Sequence, residues 1–552
     1  MKKEKISFLQ GVKYNIIMAI VFTIMVIAPD YIYQAFIPNV HYLFDWLFIL
    51  VITVFGFFLS MAGTWFFILC CILFMFMQTI QLAHIAYFLR PINPLDIGKV
   101  FNEFGDVYSA SVADFSHFWF VPLLSILPFI LMILLKLKWR RKVFCSFVGI
   151  LAVIVFLGVK PERATRRDLQ HFLPPETRYS MHNSINSFAF YLVRGMDKEN
   201  IKDIVPSDFY KEYSITKLDT SSDLVVLVMG ESTSSAKMHL FNKTGNPTTP
   251  KLETYLDNPN FMYKEAISAG VSTHASLPIF FNMMKEPGNV YKLGDYKTNL
   301  FKMAKDNGYN TYFYSAYDMK QTNLIGVPFI DEVITSEKDR HKFKMYKEDL
   351  LVDLLKKLDL KNGKNFVVLN FKSVHSPYAE NYSRYPQFDV FKPKDDSRFE
   401  VQNATYENAV LYIDDVLYRL IEYFKAQNIK NSQFIFTSDH AEMLGVPDGK
   451  YGHNQLLMES MKVPFILYSN NGNLPTLPNG MISHYEISLL VAQYLGYKIE
   501  NPNYDNNTFF VHGNNLFEEY EFIQYKRSDN GIIEEVLKDT VKGFATRKDS
   551  DD

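Results

Sequence analysis

Glu231 stands where an apolar run, Asp223-Leu224-Val225-Val226-Leu227-Val228-Met229-Gly230, gives way to a carboxylate followed by the hydroxyls of Ser232 and Thr233. Asp439 and His440 stand just past a second such run, Ser432 to Thr437, with Ser438 between. Two carboxylates and an imidazole form a mixed oxygen and nitrogen donor set. That set suits zinc and leaves one coordination position for a nucleophile or substrate. A hydroxyl held at such a cation loses its proton far more readily than a free one. The candidate is Thr273, in Ser268-Ala269-Gly270-Val271-Ser272-Thr273-His274-Ala275-Ser276-Leu277-Pro278. This segment reads as a turn entering a helix, whose positive N-terminal end favours phosphate. The same spacing equally suits a plain helix cap, with Ser272 or Thr273 as the capping hydroxyl.

Continuous runs of valine, leucine, isoleucine and phenylalanine bounded by polar residues read as central strands buried on both faces. Ligands of such sheets gather outside the carboxyl ends of the strands, which is where Glu231, Asp439 and His440 fall. From Asp223 onward strand and helix patterns alternate, so the spacing predicts an α/β domain with a mainly parallel sheet. Further strands are expected at Phe261 to Ala266, Asn310 to Ser315, Phe366 to Phe371, Gln433 to Thr437 and Pro464 to Tyr468. Helices are expected at Lys251 to Leu256, Asn299 to Asn307, Lys347 to Leu358, Tyr406 to Gln427 and His484 to Leu495.

The 552-residue chain is too long for one ordinary domain, and its long apolar runs lie almost entirely before Lys160. Five runs approach the roughly 20 residues that span a bilayer as helix. They are Asn15 to Ala28 with its flanks, Leu43 to Leu59, Thr64 to Phe88, Phe118 to Leu135 and Val143 to Val159. Lys2, Lys3 and Lys5 at the start, and Lys136, Lys138, Arg140, Arg141 and Lys142 between the fourth and fifth runs, place both segments on the cytoplasmic side. Everything after about Lys160 is then external. The expected organisation is a five-span transmembrane domain at 1–160, a bridging segment at 161–217, an external catalytic domain at 218–528 and a charged, weakly patterned tail at 529–552. The bridging segment carries a helical stretch, Ser184 to Val193, suited either to the bilayer surface or to packing on the domain. The three cysteines, Cys70, Cys71 and Cys145, all fall in predicted spans, so the external domain folds without disulfides. A net charge of −2 gives no case for nucleic acid.

Taken together the motifs carry a resemblance. They are Gly230-Glu231-Ser232-Thr233, with Met238-His239-Leu240 and Gly245-Asn246-Pro247-Thr248-Thr249-Pro250 behind it; Ser272 to Pro278; Val374-His375-Ser376-Pro377; and Ser438-Asp439-His440-Ala441-Glu442. The external domain resembles the alkaline phosphatase and sulfatase superfamily, and the whole chain resembles the membrane-bound phosphoethanolamine transferases that modify bacterial lipopolysaccharide. The resemblance implies zinc ligands at Glu231, Thr273, Asp439 and His440, with Thr273 the nucleophile, and places histidines near the phosphate or a second metal at His375 and His453. From the residues alone His375 and His453 are ordinary loop histidines. His274 and His239 are read as neighbours of the motifs, and Asn403, Tyr406 and Asn408 as the start of a long helix near the site.

This chain also departs from the resemblance. Many relatives brace the nucleophile loop with a disulfide where Ala269 and Ile279 stand here, which predicts a loop held by packing and a more mobile site. Many read Ser-His-Gly-Pro at Val374 to Pro377 and serine at Met443. The segment Tyr314-Ser315-Ala316-Tyr317-Asp318 is also altered, and no acceptor-binding residue is placed there.

The expected activity is transfer of phosphoethanolamine from phosphatidylethanolamine to lipid A or core oligosaccharide, through a phospho-threonine intermediate, at the periplasmic face of a bacterial inner membrane. The cofactor is one catalytic Zn²⁺, with room for a second. Two alternatives stand beside it. One is a glycerol phosphate transferase of the lipoteichoic acid synthase type. The other is a catalytically inactive membrane-anchored binding protein. A sulfatase fits less well, because its Cys-x-Pro or Ser-x-Pro nucleophile motif followed by arginine is absent and no external cysteine exists to be converted.

Overall fold

The computed structural model describes residues 8–36, 42–88, 91–92, 94, 97, 119–138, 146–165, 172–174, 178–195, 210–319, 324–447, 449–453, 455–472, 474–513, 516 and 520–541. The chain divides into two compact units, Met1–Lys202 and Asp203–Asp552.

In the first unit each predicted span falls on a helix: α1 (Phe8–Tyr33), α2 (Trp46–Met61), α3 (Thr64–Phe88), α4 (Phe120–Lys138) and α5 (Ser146–Ala164). Among the described residues, three stretches rather than the expected five are long and apolar enough to cross a bilayer: Gly11–Tyr33, Thr64–Ala86 and Phe120–Lys138. Trp46–Met61 is apolar but shorter. The fifth helix runs into Lys160, Glu162 and Arg163, so charge enters its last turn. Phe22, Phe55, Phe74 and Phe129 pack together inside the unit, while Trp65, Leu69 and Phe147 point outward and exposed. Apolar residues inside and outside alike are the pattern of helices solvated by lipid. Cys70 and Cys71 are buried free thiols; Cys145 lies outside the described residues.

The expected helix at Ser184 to Val193 is present but displaced, as α6 (Ser180–Phe190) continuing into a π-helical turn at Tyr191–Gly195. Its buried side is polar. Ser180 donates to Asp30, Ser184 to the Met77 carbonyl and Ser187 to the Ile92 carbonyl. An apolar face read from the sequence misses this, because small hydroxyls satisfied by neighbouring helices can be buried without cost.

The second unit is built on eight strands: β1 (Leu224–Gly230), β2 (Phe261–Ile267), β3 (Tyr309–Ser315), β4 (Glu332–Ile334), β5 (Lys364–Asn370), β6 (Ser432–Ser438), β7 (Lys462–Ser469) and β8 (Ile482–Ser483). They lie in the order β8-β2-β7-β6-β1-β5-β3-β4. The sheet is mixed. β7 runs antiparallel to both β2 and β6, while β1 pairs in parallel with β5 and β6 at the centre. Every residue of β1 and of β6 is buried, as their uninterrupted apolar runs require. The helices that matter for the site are α7 (Thr273–Asn282), α8 (Leu300–Asp306), α9 (Arg340–Lys356), α10 (Arg398–Ala426) and α11 (His484–Tyr494).

Two helices begin earlier than their patterns suggest. α9 starts at Arg340 and breaks at Lys347, whose φ is +41°, so only the segment past the break matches the expected helix. α10 starts eight residues before Tyr406, capped by Ser397, whose hydroxyl accepts from the Glu400 N–H. Its first turns are polar and hide from a hydrophobic pattern. Within the region expected as a weakly patterned tail, β11 (Ile533–Val541) pairs with β10 (Tyr520–Arg527), which pairs with β9 (Thr508–His512). All but three of β11's nine side chains are exposed, so no apolar alternation announces the strand.

Candidate active site

The central pair β1 and β6 delivers Glu231 from one strand end and Asp439 and His440 from the next. The Asp439 N–H donates to the Gly230 carbonyl at 3.1 Å, which fixes the two ends side by side. The turn after β1 is tight. Ser232 sits at φ +52°, its N–H reaching Asp439 Oδ1 at 3.1 Å and its hydroxyl reaching Glu231 Oε1 at 2.8 Å. Tyr406, from α10, closes this turn. It takes the Ser234 N–H and donates to the Ser232 carbonyl at 2.6 Å.

Thr273 is the first residue of α7. Its hydroxyl lies 2.6 Å from Asp439 Oδ2, 3.3 Å from Glu231 Oε2 and 3.3 Å from His440 Nε2. His440 Nε2 is 3.5 Å from Glu231 Oε1 and 3.4 Å from Asp439 Oδ2. A tetrahedron with metal–ligand bonds of about 2.0–2.2 Å has edges of roughly 3.3–3.6 Å. Four of these five separations have that length, with Glu231 presenting Oε2 to Thr273 and Oε1 to His440. The short fifth is a hydroxyl donating to a carboxylate. Glu231, Asp439 and His440 therefore fit a tetrahedral cation with Thr273 as a fourth donor. The imidazole is oriented for the role: Nδ1 donates to the Ala441 carbonyl at 3.0 Å, leaving the Nε2 lone pair directed at the cluster.

Electrostatics agree with that fit. Burial, and then the Glu231 charge, push the Asp439 carboxyl up to about 6. Burial alone would lower the His440 pKa, but the Asp439 and Glu231 carboxylates outweigh it and the pKa is raised. A cluster of buried carboxylates is costly unless a cation compensates it.

Ser272 occupies the cap position of α7, yet its side chain makes no capping bond, and its buried hydroxyl has no partner among the described residues. Thr273 does not cap either; its hydroxyl turns to the cluster.

His453 and Glu442 extend the group. His453 Nδ1 lies 3.1 Å from Glu442 Oε2, and its ring is 4.2 Å from that of His440. With His440 they form a second set of adjacent candidate ligands. Burial would raise the Glu442 pKa, but hydrogen bonding to His453 prevails and holds it low. His375, half-buried, uses Nδ1 against the Ser376 carbonyl at 2.6 Å, and burial lowers its pKa. Its loop is held from α9: buried Glu348 accepts the N–H groups of Lys372 and Ser373, each at 2.7 Å, and the Ser373 hydroxyl. Val374 sits there at φ +82°, a strained conformation for a β-branched residue.

The loop that carries Thr273 is held by hydrogen bonds as well as packing. Ala269 and Ile279 line one small cavity with Phe280 and His484. The Ala269 N–H donates to His484 Nδ1 at 3.1 Å, the Ala269 carbonyl accepts the His512 N–H at 2.9 Å, and Val271 donates to the His512 carbonyl at 3.1 Å. A side chain at Gly270 would put a Cβ 2.9 Å from that of Ala275, so only glycine passes there.

Of the predicted site residues, Glu231, Thr273, Asp439 and His440 meet at one point and His453 adjoins them. His375 stands beside Tyr317, their ring centroids 6.2 Å apart. His239 pairs with Glu253 at 2.6 Å, and Asn403 and Asn408 bond to neighbouring loops. Sequence reasoning gave no role to His484, Glu348 or Tyr317. Burial, and then the charges of Glu231 and Asp439, hold the Tyr317 hydroxyl well above its ordinary pKa.

Fold and motifs define an α/β domain of the sulfatase class, and a family model described as Sulfatase matches residues 223–497. Residues 223–497 are thus a Sulfatase-family domain. It is similar to the Escherichia coli protein YhbX, 24% identical over 330 residues, 58% of this chain and 56% of that protein. It is also similar to phosphoethanolamine transferase EptA of Salmonella typhimurium, 26% identical over 250 residues, 42% of this chain and 43% of that protein. The chain thus spans about half the length of the curated relatives it matches. Among solved structures, the C-terminal periplasmic domain of EptC from Escherichia coli aligns with a TM-score of 0.45 at 20% identity, covering 56% of this chain and 94% of that one.

Proposed function

We propose that this protein transfers phosphoethanolamine from phosphatidylethanolamine to lipopolysaccharide, at lipid A or core oligosaccharide, through a covalent intermediate on Thr273. The observation that carries the reading is the Thr273 hydroxyl at the head of α7, within 3.3 Å of Glu231, Asp439 and His440. The name of the related phosphoethanolamine transferase EptA supports the choice of donor.

Glu231, Asp439, His440 and Thr273 would hold Zn²⁺. Bound there, zinc lowers the pKa of the threonine hydroxyl and draws charge from the phosphoryl oxygens. Asp439, already hydrogen-bonded to the Thr273 hydroxyl, takes its proton. Thr273 Oγ1 then attacks phosphorus, and the bond from phosphorus to the glycerol oxygen breaks. Diacylglycerol leaves with a proton from His453, whose ring is 4.2 Å from that of His440, or from His375. An acceptor oxygen next gives up its proton to the imidazole that protonated diacylglycerol and attacks phosphorus; the bond from phosphorus to Thr273 Oγ1 breaks, and Thr273 recovers its proton from Asp439. The helix N-terminus favours the phosphoryl charge throughout. The five apolar helices hold the catalytic unit at the periplasmic face of the inner membrane, where the donor is a component of the bilayer.

Intact mass of the purified chain after incubation with phosphatidylethanolamine and zinc, without acceptor, tests this. A phosphoethanolamine-sized adduct on the wild type and none on Thr273→Ala is expected. A glycerol phosphate adduct from phosphatidylglycerol would overturn the donor, and no adduct from either lipid would overturn the transferase reading.

A further inference from the structure

Tyr317 follows β3 at the carboxyl edge of the sheet, the edge from which Glu231, Asp439 and His375 emerge. The transfer scheme gives it no part. The residue is 7% exposed, and its buried hydroxyl faces the Glu231 carboxylate without completing a hydrogen bond of normal geometry to any described residue. Native proteins leave few such groups unpaired, and those beside a cleft are candidates for a partner that arrives with substrate. The Glu231 and Asp439 carboxylates are both close enough to act on it.

Its ring is flanked by two nitrogen groups. The His375 ring meets it edge to face at 6.2 Å and 81°. Lys372 Nζ stands over it, 5.1 Å from the centroid, and makes no ion pair among the described residues. Glu348 fixes the backbone of Lys372, so this ammonium is carried on the same clamped loop as His375. A hydroxyl beside the cluster and an ammonium held against the same ring, with no ion-pair partner among the described residues, can together receive an anion.

We propose that Tyr317 and Lys372 form a subsite for the non-bridging oxygens of the phosphoryl group in transfer, the Tyr317 hydroxyl donating a hydrogen bond and the Lys372 ammonium supplying charge. The proposal rests on the transferase reading only for the group that carries the phosphate. The ring of Tyr317 does a second job, holding the ammonium of the solvent-exposed Lys372 beside the Tyr317 hydroxyl.

The test is titration of inorganic phosphate into the zinc-loaded full-length chain in detergent. Tyr317→Phe keeps the ring, so zinc content and thermal midpoint stay at wild-type values while the phosphate Kd rises about tenfold, the usual loss of one hydrogen bond to a charged group. Lys372→Met weakens phosphate by a similar factor and flattens its dependence on ionic strength. With lipid donor, Tyr317→Phe slows adduct formation by roughly 10²-fold, as removal of one donor to a transition-state oxygen does. Wild-type phosphate affinity in both variants, or no phosphate binding by the wild type, overturns the subsite. Phosphate binding that depends on Tyr317 and Lys372, in a chain that forms no lipid adduct, defeats the donor assignment and leaves the subsite standing.

Discussion

Thr273 Oγ1 and Asp439 Oδ2 stand 2.6 Å apart, the hydroxyl donating to the carboxylate, and this contact joins the start of α7 to the end of β6. It puts the proposed nucleophile and the group able to take its proton in one bond, inside a ring of donors spaced for a cation. Removing the hydroxyl alone leaves Glu231, Asp439 and His440 in place. Thr273→Ala is therefore expected to keep its metal, measured by elemental analysis, and to lose transfer by about 10³-fold or more. Thr273→Ser keeps a hydroxyl and forms the adduct at a reduced rate. Loss of metal together with activity in Thr273→Ala would show that the three remaining ligands do not hold the cation without the threonine oxygen.

The cluster's metal affinity falls with acid. The Asp439 carboxyl is raised to about 6 by burial and the Glu231 charge, so below that pH a proton occupies a ligand oxygen and competes with the cation. Above about pH 7 the competition ends. Zinc affinity, followed by a competing chelator, is expected to be flat above pH 7 and to weaken by about tenfold per pH unit and proton below 6. Removing the metal at pH 7.5 should lower the thermal midpoint, since a ligand at a hundred times its Kd contributes about 2.7 kcal/mol. In Glu231→Gln the midpoint should no longer respond to zinc. An unchanged response would place the cation elsewhere.

The parts of this site that could be read from the sequence are those where a local signal and a chemical type coincide. Glu231 and Asp439 end runs whose burial is total, and such runs can only be central strands. The reversal of β7 could not be read, because a buried run carries no mark of its direction. Nor could the loop contacts of His484, more than two hundred residues from Ala269 along the chain. The absent disulfide suggested a mobile nucleophile loop; hydrogen bonds to His484 and His512 hold it, and neither residue lies in a motif. The strand Ile533–Val541 was hidden because most of its side chains face solvent and give no alternation.

Glu348 is the residue on which the His375 loop depends. It is buried and accepts two backbone N–H groups and the Ser373 hydroxyl, beside a valine in the left-handed region. Glu348→Ala strands those donors, each worth about 1–3 kcal/mol when buried and unpaired. The expected loss of stability is about 2–4 kcal/mol by denaturant unfolding of the second unit. Val374 is then free to relax and carry His375 with it. Transfer should fall further than stability accounts for, with zinc content unchanged. A variant of full activity and normal stability would show that the loop is held by other contacts.

His484 and His512 make the catalytic unit acid-labile. Burial pushes both imidazoles down to about 3, so neither is protonated in the fold near neutrality. His484 uses its neutral ring on both sides, Nδ1 accepting the Ala269 N–H and Nε2 lying 3.2 Å from the Thr437 hydroxyl, while His512 Nδ1 lies 3.2 Å from the Tyr520 hydroxyl. In the unfolded chain an imidazole takes a proton near pH 6.5. The folded-state pKa is the lower one, so the contribution of each histidine is full above pH 6.5. It is lost progressively as pH falls toward 3, at about 1.4 kcal/mol per pH unit for each. Unfolding free energy measured from pH 7.5 to 5 should fall most steeply below 6.5. His484→Gln, which retains an acceptor for Ala269 without a titrating ring, should lose about half of that slope. An identical slope in the variant would mean that His484 is protonated in the fold, and the bond it accepts from Ala269 would then have no lone pair to receive it.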